Sequence, residues 1–322
     1  MNLESIYAPV REDFQQVNDL IHEQLSSRVP LVEHIAHYIV DGGGKRLRPL
    51  VVLLTAGALD YEGRQHATLA AVIEFLHTAT LLHDDVVDTS ELRRGRSTAN
   101  ARWGNAPSVL VGDFLYSRSF QMMVNMGDMR VMELLSDATA IIAEGEVLQL
   151  VNSRNPDLTE EQYRQVIHNK TAMLFQAASH TASVLSGADS ATQTALRDYG
   201  CHLGMAFQII DDVLDYQGEP ESMGKNVGDD LAEGKCTLPL IHTMANGSDE
   251  QRTLIRRAIR DGGLENLKAI LEAVHSTGAL DYTLERARTE ADKARACLET
   301  IAPSPHRHAL SSLISLAVDR AC

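Results

Sequence analysis

Apolar side chains recur at steps of three and four through almost the whole chain, a spacing that a helix can bury on one face and a strand cannot. The stretches YRQVIHNKTAMLFQAASHTASVL (163–185) and LENLKAILEAVHSTGALDYTLERARTEADKARACLETI (264–301) show it most plainly. Aromatic residues make up only 5% and alternating β-branched runs are scarce, so little is left from which to build a sheet. Thr159 with Gln162, Ser190 with Gln193, and Ser248 with Gln251 each have the form of a capping box ahead of an amphipathic run. Gly42 to Gly44, Gly127, Gly187, Gly218, Gly247, Gly262 and Gly263 mark stops. The pattern predicts about a dozen helices with short connections and no linker, hence one large all-α bundle over residues 1–322. Residues 1–28 are less apolar and are expected to form peripheral helices or part of a subunit contact, with 29–322 as the main bundle.

One apolar helical run ends unusually. In LLHDDVVDTSELRRGR (81–96), Asp84, Asp85 and Asp88 close the run, and Arg93, Arg94 and Arg96 follow at once. At about 100° per residue, Asp84 and Asp88 lie roughly 40° apart and Asp85 within about 100° of Asp84, so all three carboxylates crowd one side. Such like charges repel by about 0.2 to 0.5 kcal/mol per pair in water and more in apolar surroundings, so positive charge is needed beside them. A single cluster of this kind reads most simply as a solvated helix end. The chain repeats it, however: QIIDDVLD (208–215) sets Asp211, Asp212 and Asp215 at the same spacing, again closing an apolar run. If the two helices face each other across a bundle, six carboxylates converge on one cavity mouth and require divalent cations. Mg²⁺ suits them, since it prefers oxygen ligands, takes one or two carboxylates each and completes its shell with waters and substrate phosphates. No His/Cys set has zinc spacing, and His77 and His83, on the helix of the first cluster, each read from spacing alone as structural.

A net charge of -15 disfavours a nucleic-acid binder held by general electrostatics, while leaving room for local phosphate pockets. Basic elements for such pockets are present. GGGKRLRP (42–49) is a glycine loop delivering Lys45, Arg46 and Arg48 at a helix start, a setting suited to an anionic phosphate, without the spacing of a nucleotide P-loop. HNKTAML (168–174) offers Lys170 and Thr171, and GKNVGDDLAEGKCTLP (224–239) offers Lys225, Asp229, Asp230 and Lys235. The four cysteines form no CxxC and are too few for a disulfide framework, the N-terminal residues lack the form of a leader, and no apolar stretch reaches the roughly 20 residues of a span; a cytoplasmic protein is the expectation.

In this order, the glycine loop, HTATLLHDDVVD with RRG downstream, the KT pair, FQIIDDVLDY and GKNVGDDLAEGK resemble the trans-isoprenyl diphosphate synthases over roughly residues 40–240. Within that family the motifs come nearest the bacterial long-chain branch. The resemblance implies the helical isoprenoid synthase fold with its active site in a central cavity, a homodimer, and condensation of isopentenyl diphosphate onto an allylic diphosphate. An octaprenyl-length product for a quinone side chain, grown from farnesyl diphosphate, is the corresponding expectation, with a shorter or longer chain (geranylgeranyl, heptaprenyl, solanesyl) as the alternative. Asp84, Asp85 and Asp88 with Asp211, Asp212 and Asp215 would then hold Mg²⁺ against the allylic diphosphate, and Arg93, Lys170, Lys225 and Lys235 would contact it. Lys45, Arg48, His77 and Arg94 would bind isopentenyl diphosphate, with Thr171 and Gln208 between the two substrates. No protein general base is required, because the released diphosphate can take the proton.

Product length should follow how far the growing tail runs between helices. Just upstream of Asp84 stand Ala79 and Thr80, both small, where short-chain relatives place an aromatic, so a tunnel is expected to stay open at this level. Phe120, Met122 and Met123 are candidates for a deeper floor, the methionines being equally suited to an ordinary core. A long apolar tail binds tightly, at about 0.8 kcal/mol per buried CH₂, so membrane or detergent is expected to assist release. A terpene cyclase would need neither GGGKRLRP nor RRG, a non-catalytic subunit would have lost some of these charges, and a calcium-binding scaffold would show EF-hand loops.

Overall fold

The computed structural model describes residues 3–217, 228–262 and 264–319, and these are helical almost throughout. They fall into two interleaved compact units, residues 1–139, 174–200 and 297–313 in one and 140–173, 201–296 and 314–322 in the other.

The first unit is built around α4 (Leu47–Ala58) and α5 (Gln65–Val87). Leu50 to Leu54 are all buried, so α4 is a core helix surrounded on every side, as its unbroken apolar run requires. Three further helices, α2 (Arg11–Gln24), α3 (Pro30–Val40) and α7 (Asn105–Met126), complete the layers, and α2 and α7 pack on α5. The N-terminal segment, with α1 (Leu3–Tyr7), is no loose appendage: Ile6, Val10, Val17, Ile21 and Leu25 are at most 2% exposed. α5 and α7 run antiparallel in close contact. Ser108 donates to the Leu82 carbonyl at 3.0 Å and Gln65 to the Met126 carbonyl at 2.8 Å, while a Cβ on Gly112 would lie 2.4 Å from His83 Nε2 and 3.3 Å from the Ala79 carbonyl.

Between α5 and the short α6 (Ala99–Trp103) lies a feature that helical periodicity could not show, a two-stranded hairpin of β1 (Leu92–Arg93) and β2 (Arg96–Ser97). Its turn residues Arg94 and Gly95 have φ of 53° and 72°, the left-handed pair that matches strand twist in a two-residue hairpin. α8 (Met129–Asn152) and α11 (Ser190–Gln217) each begin in this unit, which also holds most of α10 (Met173–Leu185) and α17 (Pro305–Val318).

The second unit contains α9 (Glu160–Ile167), α12 (Asp229–Ala232), α13 (Leu238–Asn246), α14 (Asp249–Asp261), α15 (Leu267–Ser276) and α16 (Ala279–Cys297). Capping boxes at Thr159/Gln162 and Ser248/Gln251 form as expected. The one expected at Ser190 does not. Asp189, a residue earlier, accepts from the Thr192 amide at 2.8 Å, and Gln193 turns to the Ala188 carbonyl at 2.7 Å. The carboxylate is the stronger acceptor and takes the cap.

This unit is stitched by Glu290 on α16, only 2% exposed, which accepts from Arg164 of α9 at 2.8 Å, His202 of α11 at 2.7 Å and Lys293 at 3.0 Å. Burial alone would raise its pKa, but the hydrogen bonds from His202, Arg164 and Lys293 outweigh it and bring the group from 4.5 to about 2. A carboxyl with a depressed folded-state pKa stabilises fully above its unfolded value and loses that contribution as pH falls toward the folded one. Glu290→Gln is therefore expected to cost about 3 kcal/mol near pH 7 and to flatten the stability curve between pH 4.5 and about 2, measured by urea unfolding across that range.

Candidate active site

The first aspartate set sits where α5 ends. Asp84 is half-buried within the last turn, and Asp88 is the C-cap, its amide bonded to the Asp84 carbonyl at 2.8 Å. Asp85 turns inward, fully buried, and Arg93 from the hairpin meets its Oδ1 through Nη2 at 2.7 Å and Nε at 2.9 Å. Asn100 ties the same turn down by donating to the Asp85 carbonyl at 3.0 Å and to that of Ser90 at 3.2 Å. The hairpin thus returns the positive charge that the aspartates demand, with Arg93 the contributor. The signal that could have revealed it is Gly95 two residues after Arg93, in the position a tight turn favours.

Arg94, beside it, faces the glycine loop. A Cβ on Gly44, whose φ is 147°, would lie 2.5 Å from the Arg94 guanidinium, so only glycine lets that cation close on the loop backbone. Gly42, Gly43, Glu74, His77, Asp85, Arg93, Arg94 and Arg96 line one open pocket, with Tyr38 at its side. Arg48 Nη1 lies 3.1 Å from His77 Nε2, and its guanidinium stacks 4.3 Å from the Phe175 ring centroid. Burial, aided by the Arg48, Arg94 and Arg93 charges, holds the His77 pKa well below its usual value; the ring is neutral and accepts at Nε2. Burial likewise brings Arg48 down to about 10, partly offset by Glu74. Lys45 is exposed, its carbonyl accepting from the Tyr7 hydroxyl.

Glu74 is a site residue that the sequence reading missed. It stands one helical turn before His77, with Arg46 Nε 3.9 Å away, and burial raises its pKa against the pull of Arg46, Arg48 and Arg94. A lone glutamate on an apolar helix, three residues from His77, was the available signal.

In the second unit, Asp212 and Asp215 are buried and Asp211 is half-buried. Asp212 accepts from Tyr163 at 2.5 Å and from Gln208, one turn earlier, at 2.8 Å, and Gln208 in turn accepts from Thr171 at 2.9 Å. Tyr163 left no trace in the sequence pattern beyond an apolar helical position. Burial and the neighbouring Asp230 raise the Asp212 pKa well above normal, despite those two hydrogen bonds. Lys170 and Thr171 ride on a π-helical turn, His168–Ala172, a widening of the helix common at functional sites. Lys170 Nζ meets Glu146 at 2.6 Å, and Lys235 pairs with Glu233 and lies 4.0 Å from Asp230. Lys225 lies outside the described residues.

Gly145 makes room for the π turn: a Cβ there would stand 2.7 Å from Asn169 Cβ and 2.9 Å from the Lys170 amide. Gly145→Ala is expected to cost about 1–3 kcal/mol by overpacking against Asn169 and the Lys170 amide, checked by thermal unfolding.

Both aspartate sets fit a hard divalent cation. Their donors are all oxygen, Asp85 Oδ2 is buried with no hydrogen-bond partner, and Asp212 is crowded by other carboxylates. Neither set gathers three ligand atoms within 4.8 Å of one another among the described residues.

Of the chain-length candidates, Ala79 is buried on the α7 side of α5 opposite Gly112, and Thr80, half-buried, shares the Asp84 face one turn down. Met122 and Met123 are buried on α7, and Phe120 is half-buried against Tyr116, ring centroids 5.2 Å apart.

Comparison with known proteins identifies the family. Residues 29–275 match the family model for polyprenyl synthetase. The chain is 54% identical to an octaprenyl diphosphate synthase of Escherichia coli over 99% of each chain, and 49% identical to an all-trans-nonaprenyl-diphosphate synthase, geranyl-diphosphate specific, of Rhodobacter capsulatus over 98% of each. A polyprenyl synthase from Caulobacter crescentus, crystallised with calcium and isoprenyl diphosphate, superposes with a TM-score of 0.96 at 44% identity, covering 100% of this chain and 98% of that one. The chain therefore belongs to the polyprenyl synthetase family and is a prenyltransferase of the all-helical isoprenyl synthase fold.

Proposed function

We propose that this enzyme makes octaprenyl diphosphate by adding isopentenyl units to farnesyl diphosphate, for a quinone side chain. The observation that carries the reading is the duplicated aspartate octapeptide. In each copy one carboxylate is anchored inward, Asp85 by Arg93 with half-buried Asp84 and Asp88 beside it, and Asp212 by Tyr163 and Gln208 with half-buried Asp211 and buried Asp215 beside it. Asp84, Asp85 and Asp88 with Asp211, Asp212 and Asp215 hold Mg²⁺, which when bound supplies charge neutralisation to the departing diphosphate. Arg93, Lys170, Lys225 and Lys235 orient that diphosphate. Lys45, Arg48 and Arg94 grip isopentenyl diphosphate, and neutral His77 joins them without adding charge.

Glu74 offsets the mutual repulsion of Arg46, Arg48 and Arg94 in this apolar setting and so pre-forms the anion pocket before substrate arrives. Thr171 and Gln208 present oxygen dipoles toward the developing allylic cation, and apolar helix faces exclude the water that would quench it. The released diphosphate accepts the proton from the new unit, so no side chain is needed as base.

A homodimer is supported by exposed apolar side chains, Leu110 and Val124 on α7 and Val147, Leu150 and Val151 on α8, each 53% exposed or more. No helix among the described residues is long and apolar enough to cross a membrane, and we place the enzyme in the cytoplasm with transient membrane contact at product release.

A nonaprenyl product is the second reading, favoured by the Rhodobacter relative. Incubation with farnesyl diphosphate, labelled isopentenyl diphosphate and Mg²⁺, followed by sizing of the dephosphorylated product, decides it. Eight isoprene units are expected; a nine-unit product would replace the assignment, and a cyclised or unextended one would end it.

A further inference from the structure

We infer that His22, His37 and Asp41 form a binding site for a borderline divalent ion of the Zn²⁺ or Ni²⁺ kind, distinct from the aspartate sets. One ligand atom from each of the three lies within 4.8 Å of the others. His22 Nε2 stands 3.8 Å from Asp41 Oδ1, and the two imidazole rings lie stacked, centroids 5.5 Å apart and planes inclined by 15°.

The backbone puts them there. His22 is in the last turn of α2, and His37 and Asp41 are four residues apart at the end of α3, the spacing that places two side chains on one helix face. The Asp41 amide caps α3 by bonding to the His37 carbonyl at 2.8 Å, which fixes those two ligands relative to each other. Ile21, Ala36 and Val40, each next to a ligand in sequence, are buried and lock both helices in place.

Stability does not account for this convergence. An ion pair 3.8 Å long between side chains 45% and 53% exposed contributes little. Ligands 2.0–2.1 Å from a tetrahedral ion stand about 3.4 Å apart, so side-chain rotation alone closes the set. Two imidazoles and one carboxylate select a borderline ion over Mg²⁺, and the fourth position faces solvent. Occupied, the site clips α2 to α3 at the residue from which the glycine loop departs.

The test uses untagged full-length protein in millimolar Mg²⁺, titrated with Zn²⁺ and Ni²⁺ by calorimetry and followed by thermal unfolding, with histidine variants separating this site from the aspartate sets. One ion per chain is expected, with a rise in melting temperature as the ion saturates the native state. His22→Ala and His37→Ala should each weaken binding at least tenfold, and the double variant should lose both the binding and the thermal response while keeping Mg²⁺-dependent activity. Asp41→Asn, which spares both imidazoles, should weaken binding less than loss of a histidine. A double variant that binds and melts like the wild type with either ion would overturn the site.

Discussion

Asp84→Asn and Asp211→Asn are each expected to lower kcat for chain elongation by roughly 100- to 1000-fold, the usual cost of removing one group that stabilises transition-state charge. Neither should move the melting temperature by more than a degree or two. Both carboxylates are half-buried at the end of an apolar run, so amide replacements are tolerated there. Asp85→Asn separates the two effects from the other side. It weakens the paired contacts from Arg93 at 2.7 and 2.9 Å and is expected to cost about 1–3 kcal/mol of stability as well as activity. Steady-state incorporation of labelled isopentenyl diphosphate, with unfolding followed in parallel, checks all three; normal turnover by the Asp84 or Asp211 variant would remove these residues from the reaction.

Ala79→Tyr is expected to shorten the product by several isoprene units. On the proposal that the growing tail runs between α5 and α7, their antiparallel pairing sets the distances. Ala79 is opposite Gly112, about 8 Å below Asp84 at 1.5 Å per residue along α5, and the pairing of Gln65 with Met126 puts Met122 and Met123 about 24 Å below it. An aromatic at the upper level stops the tail at roughly a third of that depth. Met123→Ala should lengthen the product instead, by deepening the floor. Chromatographic sizing of the extracted alcohols reads both, and an Ala79→Tyr enzyme with the parent product length would show that the tail takes another route.

How much of this could be read from residues alone depended on whether the chemistry is local. The helices follow from apolar spacing, and the aspartate octapeptides, Lys170 and Arg48 stand out because each lies in a short charged patch beside an apolar run, whereas His77, within an uncharged stretch, is singled out only through the family resemblance. Two capping boxes were legible and a third was misread, since Asp189 competes with Ser190 for the same amides and sequence order alone does not weigh the two acceptors. The hairpin carrying Arg93 escaped because two strands of two residues each have no periodicity to detect. Glu74 and Tyr163 escaped for a tertiary reason: a buried glutamate among arginines and a tyrosine bonded to Asp212 look, in sequence, like any polar edge of an amphipathic helix. The π turn at 168–172 needs Gly145 from another helix, a contact that residue order does not disclose.

The claim on which the rest depends is that both aspartate sets serve the same diphosphate through divalent cations. Mn²⁺ bound by the protein with a non-reacting thio analogue of farnesyl diphosphate can be counted by electron paramagnetic resonance in the wild type, in Asp84→Asn/Asp88→Asn and in Asp211→Asn/Asp215→Asn. Tight Mn²⁺ binding that requires the analogue and is impaired by either pair of substitutions is the expected result. Undiminished analogue-dependent Mn²⁺ binding after loss of one whole set would contradict it.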